Sequence, residues 1–387
     1  MIFMGTSNIQ DLKYGNINIA SAYWGSNLVW QKIQQPDYSN YKAFINVEAF
    51  GNLLNANNNF LRYNVTAIRM VDKLDAQTGE TSSLFFLGME NKSNYYAVDN
   101  NITNIIYKNA RYYYDSGTKF LTFQKPSSFG YKNIYFSTSY LGGLFEWCDN
   151  LEVPVTFINY DRVLSMENTY RGCTNLRYPV CGNYVKDMHC TYEYCTSLEK
   201  AVCGPSVINL VGTFSDCYRL IEAKCGERVR DMSQAYNNCT NLVISACGDN
   251  VRNMTWAYRN CKNLVTPTCG NNVDIFNSAY TNCSNLTTAV VGKNVVWWQQ
   301  CYHFCDNITG NIYLGDHITG VFAGLQECFY PYNDRWLMKN FFLNFNSYTY
   351  NSLIFNDPDG IVWNYWANNL GCDNTKYNMY VYFLDKM

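Results

Sequence analysis

Seventeen cysteines, three histidines and scattered carboxylates are the residues of this 387-residue chain that could do chemistry. Thiolates attack carbon centres, pair as disulfides or ligate zinc. Zinc is disfavoured here, because no Cys-x-x-Cys pair occurs and only His189, His303 and His317 could serve as imidazole ligands. Disulfides need a specific side-chain geometry, and an odd thiol total leaves at least one unpaired. Three histidines are thin material for a nucleophile relay. Glu222, Glu227 and Asp231 form the densest acidic group of the cysteine-rich region, as a glycosidase pair would require. Lys224, Arg228 and Arg230 interleave with them, which reads as a solvated charge mixture. Asp357-Pro358-Asp359-Gly360 lacks the further ligands of a calcium loop and reads as a turn. No G-x-S-x-G, P-loop, G-x-G-x-x-G or H-E-x-x-H is found. The expectation is therefore a non-enzyme, with no catalytic residue, metal or cofactor.

The thiols point to architecture. Cys173, Cys195, Cys217, Cys239, Cys261, Cys283 and Cys305 recur every 22 residues, and Cys181, Cys203, Cys225, Cys247 and Cys269 follow 8 residues behind. A fixed period of this size is the signature of a solenoid. Within one unit, Met232, Ala235, Tyr236 and Cys239 stand at i, i+3, i+4 and i+7, which predicts a short helix with one apolar face. Ser245 and Cys247 alternate with Ile244 and Ala246, which predicts a short strand with one face inward. Gly248 turns the chain and Val251 returns inward. One such unit cannot bury its apolar stripe, but stacked units can. The thiols then stack as small hydrophobes in a narrow interior. Reduced thiols suit a protein folded in a cytoplasm.

Ala235-Tyr236-Asn237-Asn238-Cys239-Thr240-Asn241-Leu242 and Ala257-Tyr258-Arg259-Asn260-Cys261-Lys262-Asn263-Leu264 resemble the A-F-x-x-C-x-x-L core of the BspA-like leucine-rich repeat, over roughly residues 141–328. The resemblance implies a leucine-rich-repeat solenoid used for adhesion and for protein or glycan binding. Cys-Gly stands where many members carry an Ile-Pro type pair, which leaves the ligand open.

Four regions follow, in a chain expected to be mainly β with short helices. Residues 1–35 form an N-terminal β docking module, in which Gly5, Gly15 and Gly25 precede Ile9, Ile19 and Val29 by four residues. Its segment Tyr23-Trp24-Gly25-Ser26-Asn27-Leu28-Val29-Trp30 resembles a short module of bacteriophage virion proteins. That resemblance implies attachment to the particle, with Tyr23, Trp24, Val29 and Trp30 as docking residues. Residues 36–140 carry strand-like runs at 44–47, 84–88, 105–107 and 120–123 and are expected to form a jelly-roll-like β-sandwich. Residues 141–329 are the solenoid, and residues 330–387 an aromatic-rich C-terminal cap.

Recognition is the function this organisation favours. The outward strand positions Tyr178, Lys200, Glu222 with Lys224, Ile244, Thr266 and Thr288 form a candidate binding face that passes from charged to apolar, although a merely solvated sheet face would look the same. Trp297, Trp298, Trp363, Tyr365 and Trp366 are candidate glycan contacts, because a flat ring covers an apolar sugar face; a packed cap would use the same residues. A net charge of −2 gives no footprint for nucleic acid. No apolar run approaches the ~18 residues of a membrane helix, and Met1-Ile2-Phe3-Met4-Gly5 lacks the basic start of a signal peptide. The combined expectation is a bacteriophage virion structural protein, of a fibre, tail or head, folded in the host cytoplasm. It would contact other virion proteins through residues 1–35 and a host-surface glycan or protein through the repeats, and a trimer would suit a fibre. The alternative is a cell-surface adhesin with the same repeats.

Overall fold

The computed structural model describes residues 12–14, 17–19, 21–24, 27–31, 41–75, 79–90, 102–125, 134–292, 294–295, 300–305, 307 and 312–314. The chain divides into two units, Met1–Tyr41 and Lys42–Met387. The first contains two antiparallel hairpins. Strands β1 (Leu12–Tyr14) and β2 (Ile17–Ile19) pair through Tyr14 and Ile17, and β3 (Ser21–Trp24) and β4 (Asn27–Gln31) pair through Trp24 and Asn27. Tyr23 and Trp24 lie on β3, and Val29 and Trp30 on β4.

The second unit begins with β5 (Tyr41–Ile45), helix α1 (Val47–Asn64), β6 (Ala67–Val71), β7 (Glu80–Glu90), β8 (Ile102–Asp115), β9 (Phe120–Gln124) and β10 (Ile134–Phe136). The strands form one mixed sheet in the order β10-β5-β7-β8-β9-β6. The expected jelly-roll sandwich is thus corrected: among the described residues a single sheet is backed by a helix. Phe50, Leu54 and Leu61 recur at helical spacing and bury one stripe, so α1 supplies the second layer that another sheet would otherwise provide. The Asn46 side chain caps the helix by accepting the Ala49 N–H at 3.0 Å. Asn57, Asn58 and Asn59 then interrupt it with φ of 52°, 57° and 62°, the left-handed region that asparagine tolerates better than most residues.

This sheet and helix close the first end of the repeat array. Phe50 meets Phe123 of the sheet and Phe145 of the first coil edge-on, at 5.5 and 5.6 Å. The Arg62 guanidinium donates to the carbonyls of Glu146 and Leu144, and the Glu152 N–H to Thr66 O at 2.9 Å. Terminal coils of a solenoid need such cover.

Every 22 residues the same positions return to the interior. Met232, Ala235, Tyr236, Cys239, Leu242 and Val251 are fully buried, as are Met254, Ala257, Tyr258, Cys261, Leu264 and Val273 one coil later. The helix expected over Met232–Cys239 does not form. The N–H groups of Met232, Gln234, Tyr236 and Asn238 donate to the carbonyls of Asn253, Thr255, Ala257 and Arg259 in the next coil, at 2.8–3.0 Å. An α-helix needs those donors for carbonyls four residues back. Ala235, Asn237 and Cys239 instead bond to the residue three before, and Gln234 and Asn238 take positive φ of 56° and 63°. Helix-like apolar spacing is therefore met by a chain of turns. The strand segment is reduced to single parallel bridges, Glu222 to Ile244 to Thr266. Among the described residues of the array, only β11 (Ala289–Val291) forms a longer pairing, parallel to β12 (Ile312–Leu314).

Three columns explain the repeated residue types. The rings of Phe145, Tyr170, Tyr192, Phe214, Tyr236, Tyr258, Tyr280 and Tyr302 stack with centroids 5.1–5.6 Å apart. Each ladder thiol donates to the carbonyl of the aromatic one coil earlier, as Cys239 Sγ does to Phe214 O at 3.0 Å and Cys261 Sγ to Tyr236 O at 3.1 Å. A thiol is both apolar enough for the interior and a weak donor. The glycines after the second cysteine series lie where coils touch. A β-carbon on Gly270 would stand 2.3 Å from Gly248 O and 3.2 Å from Cys247 Sγ.

The tyrosine hydroxyls fasten the turn segment to the strand segment. Tyr258 Oη accepts the Ala246 N–H at 3.0 Å and donates to Ala246 O at 2.5 Å, and Tyr280 does the same with Thr268. Phe214 lacks the hydroxyl. Tyr258→Phe is expected to cost about 1–2 kcal/mol in urea denaturation, whereas Phe214→Tyr, whose hydroxyl would face Val202, is expected to stabilise by about 1 kcal/mol. Equal and near-zero effects would show that these bonds add nothing to the stacked rings.

Candidate functional site

The solenoid carries the strand-derived column outward. Tyr178, Lys200, Glu222, Lys224, Ile244 and Thr266 are exposed and Thr288 is half-buried; six of the seven recur at the 22-residue spacing, and Lys224 stands two residues after Glu222 on the same coil. Between Ile244 and Ala246 the side chain of Ser245 is buried, with its Oγ within hydrogen-bond distance of Thr266 O at 2.9 Å and of Thr268 Oγ1 at 3.0 Å. Lys224 Nζ pairs with Glu222 Oε1 on the same coil. Both groups are half-exposed, so the pair sets local polarity more than stability.

The adjoining column was not singled out by sequence reasoning. Ile221, Val243 and Val265 are 56%, 41% and 41% exposed, and Ile244 beside them is 54% exposed. Four β-branched aliphatics on three successive coils make a contiguous apolar strip between the Glu222–Lys224 pair and Thr266. The available signal was positional, since each of the three follows a buried leucine (Leu220, Leu242, Leu264) at the same place in the repeat. A second missed cluster lies at the beginning of the array. Trp147 stacks on Tyr194 at 6.2 Å, with the Arg171 guanidinium 5.6 Å from Trp147 and 5.8 Å from Tyr194. Arg171 also bridges Glu193 at 2.6 Å and Glu146 at 3.3 Å, which ties three coils together.

Among the described residues, the ladder thiols are held in their neutral form. Burial pushes Cys148 up to about 12 and Cys203 up to about 12, and it holds Cys173, Cys217 and Cys261 well above the ordinary thiol value, with neighbouring thiols adding to the effect. A neutral thiol is a poor nucleophile and metal ligand. Of the acidic group, Asp231 accepts from the Ser233 N–H at 2.9 Å and from Asn253 Nδ2 at 3.2 Å, within a column of bonded side chains. His189 stands 3.9 Å from Glu167 on the coil surface. Another polar column runs from Asp216, which accepts Asn238 Nδ2 at 2.9 Å, through Asn260 to Asn282 at 2.6 and 2.8 Å. Trp297, Trp298, Trp363, Tyr365 and Trp366, together with the whole expected C-terminal cap, residues 330–387, lie outside the described residues. No helix among the described residues is long and apolar enough to cross a membrane.

Comparison with protein-family models and with curated proteins returns no match. Among solved structures, the chain is similar to a leucine-rich repeat protein from Bacteroides ovatus ATCC 8483, with 18% identity and a TM-score of 0.32 over 51% of this chain and 66% of that one. It is also similar to a leucine rich cell surface protein from Faecalibacterium prausnitzii A2-165, with 13% identity and a TM-score of 0.26 over 47% of this chain and 62% of that one. The chain spans less than two thirds of the length of either structure.

Proposed function

We propose that this chain is a non-enzymatic recognition protein in which the exposed solenoid face binds a protein on a host-cell surface. The observation that carries the reading is the strip Ile221, Val243, Ile244 and Val265, exposed on consecutive coils and bordered by Lys200, Glu222 and Lys224. Contiguous exposed aliphatics with a polar rim have the make-up of a protein-binding patch. A sugar face would call for flat rings and amides, which this strip lacks.

The setting we propose is a bacteriophage virion, as a fibre, tail or head-associated component. Support comes from the Tyr23 to Trp30 segment, whose two halves form a hairpin, and from its resemblance to virion modules. Mass spectrometry of purified virions is expected to detect the chain; its absence would remove this setting. The Ala-Tyr-x-x-Cys-x-x-Leu units favour a second setting, a cell-surface adhesin, in which the chain would be recovered by surface shaving of its own cell.

Ile244→Asp tests the face in either setting. At an exposed position it is expected to change folding stability by no more than about 0.5 kcal/mol. Adsorption of the labelled protein to host cells is expected to fall about tenfold or more, since an unpaired charge would be placed in the centre of the contact. Unchanged adsorption would exclude this strip as the binding surface.

A further inference from the structure

A cleft of about 490 Å³ opens between α1 and the far end of β8, well apart in sequence from the repeats. Its volume lies within the range of small-molecule sites, roughly 300–1,000 Å³. Phe60, Leu61 and Asn57 line it from α1, and Glu80, Tyr112 and Tyr114 from β7 and β8. Phe60 is 47% exposed although it is large and apolar, and its ring meets Tyr114 edge-on at 5.5 Å. The helix breaks at this cleft. Asn57, Asn58 and Asn59 are three consecutive left-handed residues, and such strained backbone gathers at ligand sites. The break places an exposed Asn57 at the rim, where an unbroken helix would have carried on past it.

The polar groups are suited to hydroxyls. Glu80 accepts the Tyr112 hydroxyl at 2.5 Å and keeps further lone pairs for other donors. Burial and then Glu80 itself push Tyr112 up to about 12, so its hydroxyl stays protonated and fixes the carboxylate. Asn57 adds both a donor and an acceptor. Aromatic walls cover the C–H face of a pyranose, while amide and carboxylate satisfy its rim.

We propose that this cleft binds a neutral monosaccharide or disaccharide, with Phe60 and Tyr114 against the sugar ring and Glu80 and Asn57 on its hydroxyls. The site is independent of the solenoid face and stands whether or not that face binds a protein.

Saturation-transfer NMR on the full chain, with maltose, cellobiose, lactose and chitobiose offered separately, tests it. At least one is expected to show transfer to its ring protons. Phe60→Ala and, with the apolar walls intact, Glu80→Gln are each expected to weaken that ligand about tenfold, while Ile244→Asp leaves it unchanged. Lack of transfer to any of the four sugars overturns the proposal, as does transfer that persists equally in both cleft variants. Binding of tetramethylammonium in place of the sugars also overturns it, because the cleft would then be a cation cage.

Discussion

Raising the pH through 9 is expected to unfold the solenoid in one cooperative step. Cys173, Cys195, Cys217, Cys239, Cys261 and Cys283 are held neutral in the fold, their pKa values pushed far above the ordinary 9.0 chiefly by burial. In the unfolded chain they titrate near that ordinary value. Above it the native state keeps protons that the unfolded state has released, so stability is complete below pH 9 and declines as the pH climbs towards the folded pKa. Each buried thiol contributes about 1.4 kcal/mol per pH unit in that window, and the six together about 8 kcal/mol per unit. A domain's whole stability is about 5–15 kcal/mol, so the transition should be complete within about two units. Buried tyrosines such as Tyr236, Tyr258 and Tyr280, also raised by burial, add to the slope above 10. Circular dichroism and thiolate absorbance followed against pH should change together. Thiolate appearing near pH 9 with structure intact would mean that the ladder thiols are open to solvent.

Gly270→Ala adds a single methyl and is expected to be strongly destabilising. Its φ is ordinary, so the cost is steric: the new methyl would stand 2.3 Å from Gly248 O and 3.0 Å from Gly248 C, both backbone atoms of the preceding coil. Backbone cannot yield as a side chain does, and the two coils would have to part, breaking bonds such as the Gly270 N–H to Cys247 Sγ contact at 3.2 Å. Overpacking costs typically 1–3 kcal/mol, so this site belongs at about 3 kcal/mol or more. Gly248→Ala is the internal control, since its nearest neighbour, Gly226 O, lies 3.2 Å away. It should cost clearly less in the same urea denaturation. Equal losses at the two sites would mean that coil spacing is softer than these distances imply.

Much of the solenoid could be read from the chain, because a period in sequence becomes a column in space. The burial of Cys239 and Leu242 and the exposure of Ile244 follow from spacing alone. The turn conformation of Met232–Cys239 did not follow, because i, i+3, i+4, i+7 spacing reports which residues share a face and not where their N–H groups bond. A usable signal existed in the column Gly172, Tyr194, Asp216, Asn238, Asn260 and Asn282, which is rich in types that accept positive φ and takes it at every one of these positions. Helix α1 was missed for another reason. Its Asn-rich middle reads as loop, which hides the helical spacing of Phe50, Leu54 and Leu61 on either side of it. Four of the sheet's six strands were legible and β6 and β10 were not, and the pairing joins segments far apart in sequence, such as β5 with β10, which periodicity does not encode. The cleft at Phe60 and Tyr112 depends on that pairing and was equally out of view.

The direction of the bonds between coils bears on how the chain is made. Met232, Gln234, Tyr236 and Asn238 offer their N–H groups forward, to carbonyls that come about one turn later in the chain. A newly laid coil therefore presents a row of unspent donors until its successor arrives. With the sheet and α1 emerging first from the ribosome, each turn finds a template already in place and closes a loop of nearly constant length. Assembly can keep pace with synthesis, like a zipper run from one end. The same row makes an interrupted chain adhesive at its growing tip, where the coil of a neighbouring chain could take the place of the missing one.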